Sequence, residues 1–109
     1  MLNSRAKGKR GELEIVHRLR DHGYDVRRGD SFRGEPDIVG MPLVHLEVKF
    51  RERIELGKFM DQAIRDAKSK YNVSMMPLLI SKQNRKPTFG TMLLDDLLIL
   101  LDFYLENHK

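Results

Sequence analysis

The chain has 109 residues, with 20 Lys+Arg, 16 Asp+Glu and no Cys. This length predicts a single domain over residues 1–109, because half of it could not close a core without disulfides. A chain without Cys forms neither disulfides nor a cysteine-built zinc site. The formal net charge of +4 favours an anionic partner.

The basic residues are concentrated near the N-terminus. Residues 1–33 carry nine basic and five acidic side chains, whereas residues 92–109 carry one and four. This asymmetry predicts that the N-terminal part meets the anion and that the tail meets protein. The longest apolar run, 97–101, is far shorter than the roughly 20 residues that cross a bilayer, and no apolar leader follows Met1. We therefore expect a soluble, intracellular (cytoplasmic) protein with no membrane partner.

The first element in chain order is a helix. Basic residues broken by glycine predict either a mobile arm over 1–10 or the frayed start of this helix. Glu12, Val16 and Leu19 then fall on one helical stripe. Gly23 supplies the stop signal at the C-terminal end.

Strands and helices alternate over the rest of the chain. Five segments have the alternation or the apolar runs of strands: 24–28, 37–40, 43–50, 76–80 and 87–92. Two segments have helical periodicity: 56–71 and 93–107. The order predicts an α/β domain with a central mixed sheet of about four or five strands flanked by helices.

The strand at 43–50 has two unlike faces. One is apolar, and the other carries His45, Glu47 and Lys49. Glu47 and Lys49 would lie about 6–7 Å apart on a side that is not committed to the core. By itself this pattern is also typical of a solvated strand face with a weak ion pair, and His45 is predicted to be a surface residue.

Two further acids are placed to join Glu47. A turn at 40–42 would return the strand that follows Asp37 alongside the longer strand and bring the two carboxylates together. Close carboxylates repel unless a cation lies between them, and oxygen ligands suit Mg²⁺ or Mn²⁺. Glu12 shares a stripe with Val16 and therefore points toward the sheet. In the alternative interpretations Asp37 only closes a turn and Glu12 complements the helix dipole.

Together these residues resemble the PD-(D/E)xK nuclease core, and more closely the archaeal-type Holliday junction resolvases, which also occur in viruses. The resemblance runs from Lys7 to about Ile80. It rests on these segments: Gly8-x-x-Gly11-Glu12, Gly29-Asp30-Ser31-x-x-Gly34, Asp37-Ile38-Val39, Glu47-Val48-Lys49 and Gln62. The Asp and E-x-K motifs are shared by many nucleases, whereas the small size, the basic leading segment and Ser31 favour the resolvase branch. The resemblance implies a restriction-endonuclease-like fold.

The resemblance also implies a role for each matching residue. Six residues match catalytic positions: Glu12, Ser31, Asp37, Glu47, Lys49 and Gln62. The three acids would bind Mg²⁺, for which Mn²⁺ would substitute, and the lysine would orient or activate the attacking water. The serine and the glutamine would lie around the site. The implied reaction cuts branched DNA, above all four-way junctions, and leaves 5′-phosphate and 3′-hydroxyl ends; a virus-encoded member would act in its host cell.

Basic residues predict the DNA-binding surface. Seven are candidates: Arg5, Lys7, Lys9, Arg10, Arg27, Arg28 and Arg33. Any one of them could be a solvated charge, but as a group they suit an acidic metal site that must still attract a polyanion. Phe32, at the tip of the loop, is either a lid for the core or a wedge near the centre of a junction.

The last helix, 93–107, is apolar on more than one face. It is either fully buried or a self-association surface, and we favour the second because so small a core cannot cover it. A four-way junction has approximate two-fold symmetry, so a C₂ homodimer would present two active sites to two strands.

Two other functions stay open at this point. A nuclease of the same core could act on nicked, flapped or linear DNA in repair or restriction. A basic nucleic-acid-binding module without catalysis would use its acids only to balance charge.

Overall fold

The computed structural model describes residues 4–69 and 75–108. The elements in chain order are α1 Ser4–Asp21, β1 Arg27–Arg28, a short 3₁₀ turn Ser31–Arg33, β2 Ile38–Val39, β3 Val44–Arg51, α2 Leu56–Ser69, β4 Met76–Gln83, β5 Phe89–Thr91 and α3 Leu94–Glu106. The predicted α/β class with a mixed sheet and flanking helices is confirmed. The end of the second predicted helix at Tyr71 and the side chain of Arg5 lie outside the described residues.

The sheet has five strands in the order β1-β2-β3-β4-β5. The β3–β4 pair is parallel, and the other three pairs are antiparallel. Parallel neighbours need a crossover, and α2 supplies it between β3 and β4. The first two strands are shorter than predicted: β1, at the edge, keeps only Arg27 and Arg28, and β2 beside it keeps Ile38 and Val39.

The helices α1 and α2 cover different faces of β3. The main core joins α1 residues Ile15 and Val16 to Leu46 and Val48 of β3. On α2, by contrast, Phe59 lies under the Lys49 ammonium, so α2 covers the face that carries the polar residues of β3. The sequence predicted that this face would not be committed to the core. That prediction is wrong, because α2 packs across the face.

Within the predicted N-terminal segment 1–10, residues 4–10 belong to α1, which begins at Ser4. The helix sits close to the sheet at Gly11, where an added Cβ would approach the Phe50 ring to 2.7 Å. Only a residue without a side chain allows this approach. This close approach sets the distance between α1, which carries Glu12, and β3, which carries Glu47 and Lys49.

The last helix, α3, buries none of its residues. Its exposed apolar side chains include Leu97, Leu101 and Phe103. The alternative of a fully buried helix is therefore wrong. None of the helices in the described ranges has the length and hydropathy needed to cross a membrane.

Candidate nuclease site

The Asp37 carboxylate is held against the backbone of β3. Asp37 directly precedes β2, which pairs antiparallel with β3 so that Ile38 lies opposite Leu46. Its Oδ2 accepts a hydrogen bond from the Val48 backbone N–H at 2.8 Å. In this antiparallel register Asp37 lies opposite Glu47, and it acts to raise the pKa of the Glu47 carboxyl. The hairpin thus brings the two acids together, as its turn residues predicted.

Glu47 is buried, with 4% of its surface exposed. Burial raises the pKa of its carboxyl, and the nearby Asp37 raises that pKa further, while a hydrogen bond from His45 acts in the opposite direction. A buried carboxylate beside a second acid is unfavourable without a compensating positive charge. The pair is therefore an electrostatic environment that favours a bound cation.

Glu12 reaches the same region from α1. Arg28 donates a hydrogen bond from Nε to its Oε1 at 3.0 Å, and a terminal nitrogen of the same guanidinium forms an ion pair with that oxygen at 3.0 Å. Burial and the charge of Asp37 raise the pKa of the Glu12 carboxyl, whereas Arg28 and then Lys49 act to lower it. The charges of Asp37 and Lys49 therefore both act on the Glu12 carboxyl, and the contact with Arg28 fixes its orientation.

Lys49 follows Glu47 on the same side of β3. Its ammonium lies 5.2 Å from the centroid of the Phe59 ring. The Arg51 guanidinium approaches the same ring at 6.0 Å. A cation over an aromatic face is attracted by the ring quadrupole, so Phe59 helps to hold Lys49 in place. Sequence reasoning did not single out Phe59.

His45 and Asp66 are the site residues that sequence reasoning missed. His45 was predicted to be a surface residue and is 4% exposed, because α2 covers it. Its Nε2 and Glu47 Oε1 share a hydrogen bond at 2.8 Å. Among the described residues, His45, Glu47 and Asp66 are a trio whose ligand atoms all lie within 4.8 Å of one another. The available signal was the spacing of Asp66, which lies one helical turn after Gln62 on α2.

The loop between β1 and β2 is fastened at its base. Glu35 accepts from the Arg27 guanidinium at 2.9 and 3.2 Å and from the Asp30 backbone N–H at 2.9 Å. Ser31 begins the short turn and is exposed, while Gln62 is half-buried on α2. Phe32 at the tip is fully exposed, which excludes the lid and leaves the wedge as a prediction.

The predicted DNA-binding residues fall into two groups. Lys7 and Arg10 line an open groove of about 280 Å³ together with Lys82, which is not among the seven predicted DNA-binding residues. Lys7 also donates to Asn84 at 2.6 Å. Lys9 is exposed on α1.

The arginines near the loop are not equally free to meet DNA. Arg27 is engaged by Glu35, and Arg28 by Glu12. Arg33 is the most exposed of the three, with its Nε 3.7 Å from an oxygen of Asp30. Arg33 is therefore the best placed of these arginines for a phosphate contact.

A stability measurement tests the electrostatics of Glu47. Because folding raises its pKa above the ordinary value of 4.5, the contribution of the protonated form is fully present below about pH 4.5 and is lost as the pH rises through the raised value. Glu47→Gln stays neutral at every pH. In EDTA, we expect the Tm of this variant minus the Tm of the wild type to increase by a few degrees between pH 4.5 and pH 8, as measured by calorimetry.

The exposed Glu52 provides the matched control for that experiment. Glu52→Gln should leave the Tm difference flat across the same pH range. If the Tm difference between Glu47→Gln and the wild type did not change with pH, or fell as the pH rose, folding would not raise the pKa of this carboxyl.

The donor set is suited to a divalent cation. Asp37 and Glu47 supply oxygen ligands from opposite positions of adjacent antiparallel segments, and Glu12 lies near enough for the charge of Asp37 to raise its pKa. Oxygen-rich sites of this kind bind Mg²⁺ or Mn²⁺, and an imidazole such as that of His45 adds affinity for the transition metals. The residues present therefore fit a divalent metal.

Comparisons with known proteins agree with this chemistry. The model of a family described as "Phage putative PDDEXK endonuclease" matches residues 3–104. Searches of curated proteins and of solved structures each gave no significant match. The match covers nearly the whole chain, including both helices and all strands that build the site. The chain belongs to this phage family of PD-(D/E)xK endonucleases, which implies a DNA substrate and a divalent metal.

Proposed function

We propose that the chain is a Mg²⁺-dependent endonuclease that resolves four-way DNA junctions by paired, symmetric incisions. The products are 5′-phosphate and 3′-hydroxyl ends. One observation supports the catalytic part above all others: the antiparallel register places Asp37 opposite Glu47, with Lys49 next along the same face of β3. Phage family membership supports the nuclease class, and the resemblance to resolvases supports the substrate.

The residues divide the chemical work. Mg²⁺ held by Asp37 and Glu47 would neutralise charge on the scissile phosphate and lower the pKa of a bound water. Lys49 would orient the attacking water and offset charge that develops on the phosphate oxygens. Glu12, oriented by Arg28, would hold a water in the outer shell. Ser31 and Gln62 would contact the substrate from the loop and from α2.

The need for two incisions supports a homodimer. A helix of 13 residues is marginal in water unless its apolar face is packed, yet α3 buries none of its residues in this domain. A second copy of the chain is the partner that a two-fold-symmetric substrate calls for. We therefore propose that α3 of one protomer packs against α3 of its partner.

Cleavage of defined substrates tests the proposal. Labelled four-way junctions, flaps, nicked duplex and linear duplex are incubated with the protein, with and without Mg²⁺. We expect symmetric cuts near the crossover of the junction, and only with metal. Equal cutting of all substrates would favour a repair or restriction nuclease, and tight binding without cutting under any divalent metal would favour a non-catalytic module.

Dimerisation is tested by sedimentation. We expect a dimer at micromolar concentration and a monomer for Leu97→Glu with Leu101→Glu, because two buried charges would oppose packing of α3. The exposed acidic residue Glu106 offers a control, since Glu106→Gln should leave the dimer intact. A stable wild-type monomer would contradict the α3 interface.

The basic surface of α1 is tested by salt dependence. Replacing Lys7, Lys9 and Arg10 by Ala should weaken junction binding and flatten the plot of log K against log salt by about 0.9 per lost phosphate contact. A charge-matched triple on the outer side of α2, at Lys58, Arg65 and Lys68, serves as the control. An equal loss of slope in both triples would show that only net charge matters.

A further inference from the structure

His45 is a buried polar ring that the proposed reaction does not use directly. It lies on β3 two residues before Glu47, on the face that α2 covers, and 4% of its surface is exposed. Placing an imidazole here is unfavourable unless its nitrogens find partners. The partner is Glu47, whose Oε1 shares a hydrogen bond with the ring Nε2 at 2.8 Å.

The charge state of Glu47 decides which of the two partners donates. A carboxylate that binds a cation is ionised and can only accept, so in that state His45 donates from Nε2. A carboxylate held in this way loses rotamer freedom. Because Glu47 lies opposite Asp37, its orientation decides whether the two acids present oxygens to the same point.

Asp66 extends the arrangement onto α2. One of its carboxylate oxygens lies within 4.8 Å of both a ring nitrogen of His45 and an oxygen of Glu47. Asp66 lies on a different element from the other two residues, so α2 helps to fix the ring from outside the sheet. Outer-shell partners that orient a metal ligand are a general feature of metal sites.

We propose that His45 is the positioning residue for Glu47 and that Asp66 holds His45 in that role. The imidazole keeps the Glu47 carboxylate in one orientation beside Asp37, so that both acids meet the same cation. This inference rests on the proposed function of Glu47 as a metal ligand. It adds two residues to the site and a role for α2.

The experiment measures metal binding without DNA. Mn²⁺ is titrated into the protein, and the free ion is followed by electron paramagnetic resonance. His45→Leu removes the donor and should raise the Mn²⁺ dissociation constant by about 10- to 100-fold. His45→Gln keeps an N–H donor and should recover most of the affinity, whereas Asp66→Asn should shift it in the same direction as His45→Leu. The exposed His17 gives the control, and His17→Gln should bind Mn²⁺ like the wild type.

Several outcomes would overturn the inference. Wild-type Mn²⁺ affinity in His45→Leu would do so, as would a His45→Gln variant no better than His45→Leu, because then the volume of the ring and not its donor would matter. Should His45→Leu fail to fold, unchanged affinity in Asp66→Asn would decide against it. If Asp37→Asn kept full Mn²⁺ affinity and His45→Leu abolished it, His45 would itself be a metal ligand and not a positioning residue.

Cleavage assays separate this inference from the proposed function. The Mg²⁺ concentration for half-maximal cleavage should rise in His45→Leu by the same factor as the Mn²⁺ dissociation constant. A wild-type protein that cuts no DNA, with Mn²⁺ binding weakened by His45→Leu, would overturn the nuclease and keep the positioning role. Normal cleavage by the wild type, with Mn²⁺ binding unchanged in His45→Leu, would keep the nuclease and overturn the positioning role.

Discussion

Asp37→Asn is expected to lower the rate of DNA cleavage by at least about 1000-fold, which corresponds to roughly 4 kcal/mol of lost transition-state stabilisation. The amide oxygen can still accept the hydrogen bond from the Val48 N–H, so the turn and the fold should survive. What is lost is one negative charge next to Glu47. Junction binding should persist, because removing an acid from a DNA-facing site weakens repulsion of the phosphates.

Single-turnover cleavage and junction binding in Ca²⁺ measure the two effects separately. Asp61, exposed on α2, provides the matched control, and Asp61→Asn should cut at the wild-type rate. Glu47→Gln should lose as much as Asp37→Asn, and the double variant should lose little more, because ligands of one cation act as a unit. Full cleavage by either single variant would remove both residues from the site.

Lys49→Ala is expected to reduce the cleavage rate by about 10²- to 10⁴-fold, the range for one positioned acid–base group. The ammonium is fixed over Phe59, so its position is set before DNA binds. The loss should appear in the single-turnover rate and leave the DNA dissociation constant nearly unchanged, because one positive charge contributes little to binding of a long polyanion.

The exposed Lys58 of α2 is the matched control for this change, since Lys58→Ala removes the same charge from a site outside the catalytic face. Lys49→Arg tests geometry, because a planar guanidinium does not replace a compact ammonium. A Lys49→Ala variant within tenfold of the wild-type rate would contradict the role assigned to Lys49.

The site combines opposite electrostatic demands. DNA binding needs positive charge, and the groove lined by Lys7, Arg10 and Lys82 supplies some of it. Cation binding would draw on the carboxylates of Asp37, Glu47 and Glu12, and burial makes Glu12 and Glu47 unfavourable as free carboxylates. A site of this kind loses stability without its metal and regains it on binding, since a ligand that binds only the folded state stabilises it.

Local sequence patterns were sufficient for the elements that depend on short-range physics. The alternation in β3 predicted which residues share a face, and the turn before it predicted that Asp37 returns beside Glu47. Both depend on pleat geometry and on a short loop, which adjacent residues determine. The PD-(D/E)xK class followed from the same few residues and is confirmed by the family match.

The edge strands were harder to predict, because pairing and not propensity limits them. In the predicted strand 24–28, only Arg27 and Arg28 pair with a neighbouring strand, which is the equally short β2. The alternation of apolar residues continues beyond the point where the neighbouring strand ends. Strand length at an edge is therefore a property of the pair.

The sequence by itself determined the α/β class, the placement of Asp37 opposite Glu47, and the PD-(D/E)xK superfamily. Only the tertiary structure decided that the polar face of β3 is covered, because α2 packs back across the sheet and brings Asp66 and Phe59 there. That packing buried His45, and the separate contact between α1 and β1 engaged Arg28 with Glu12. The physical reason is that neighbours along the chain fix the direction of a side chain, whereas packing between whole elements fixes what it faces.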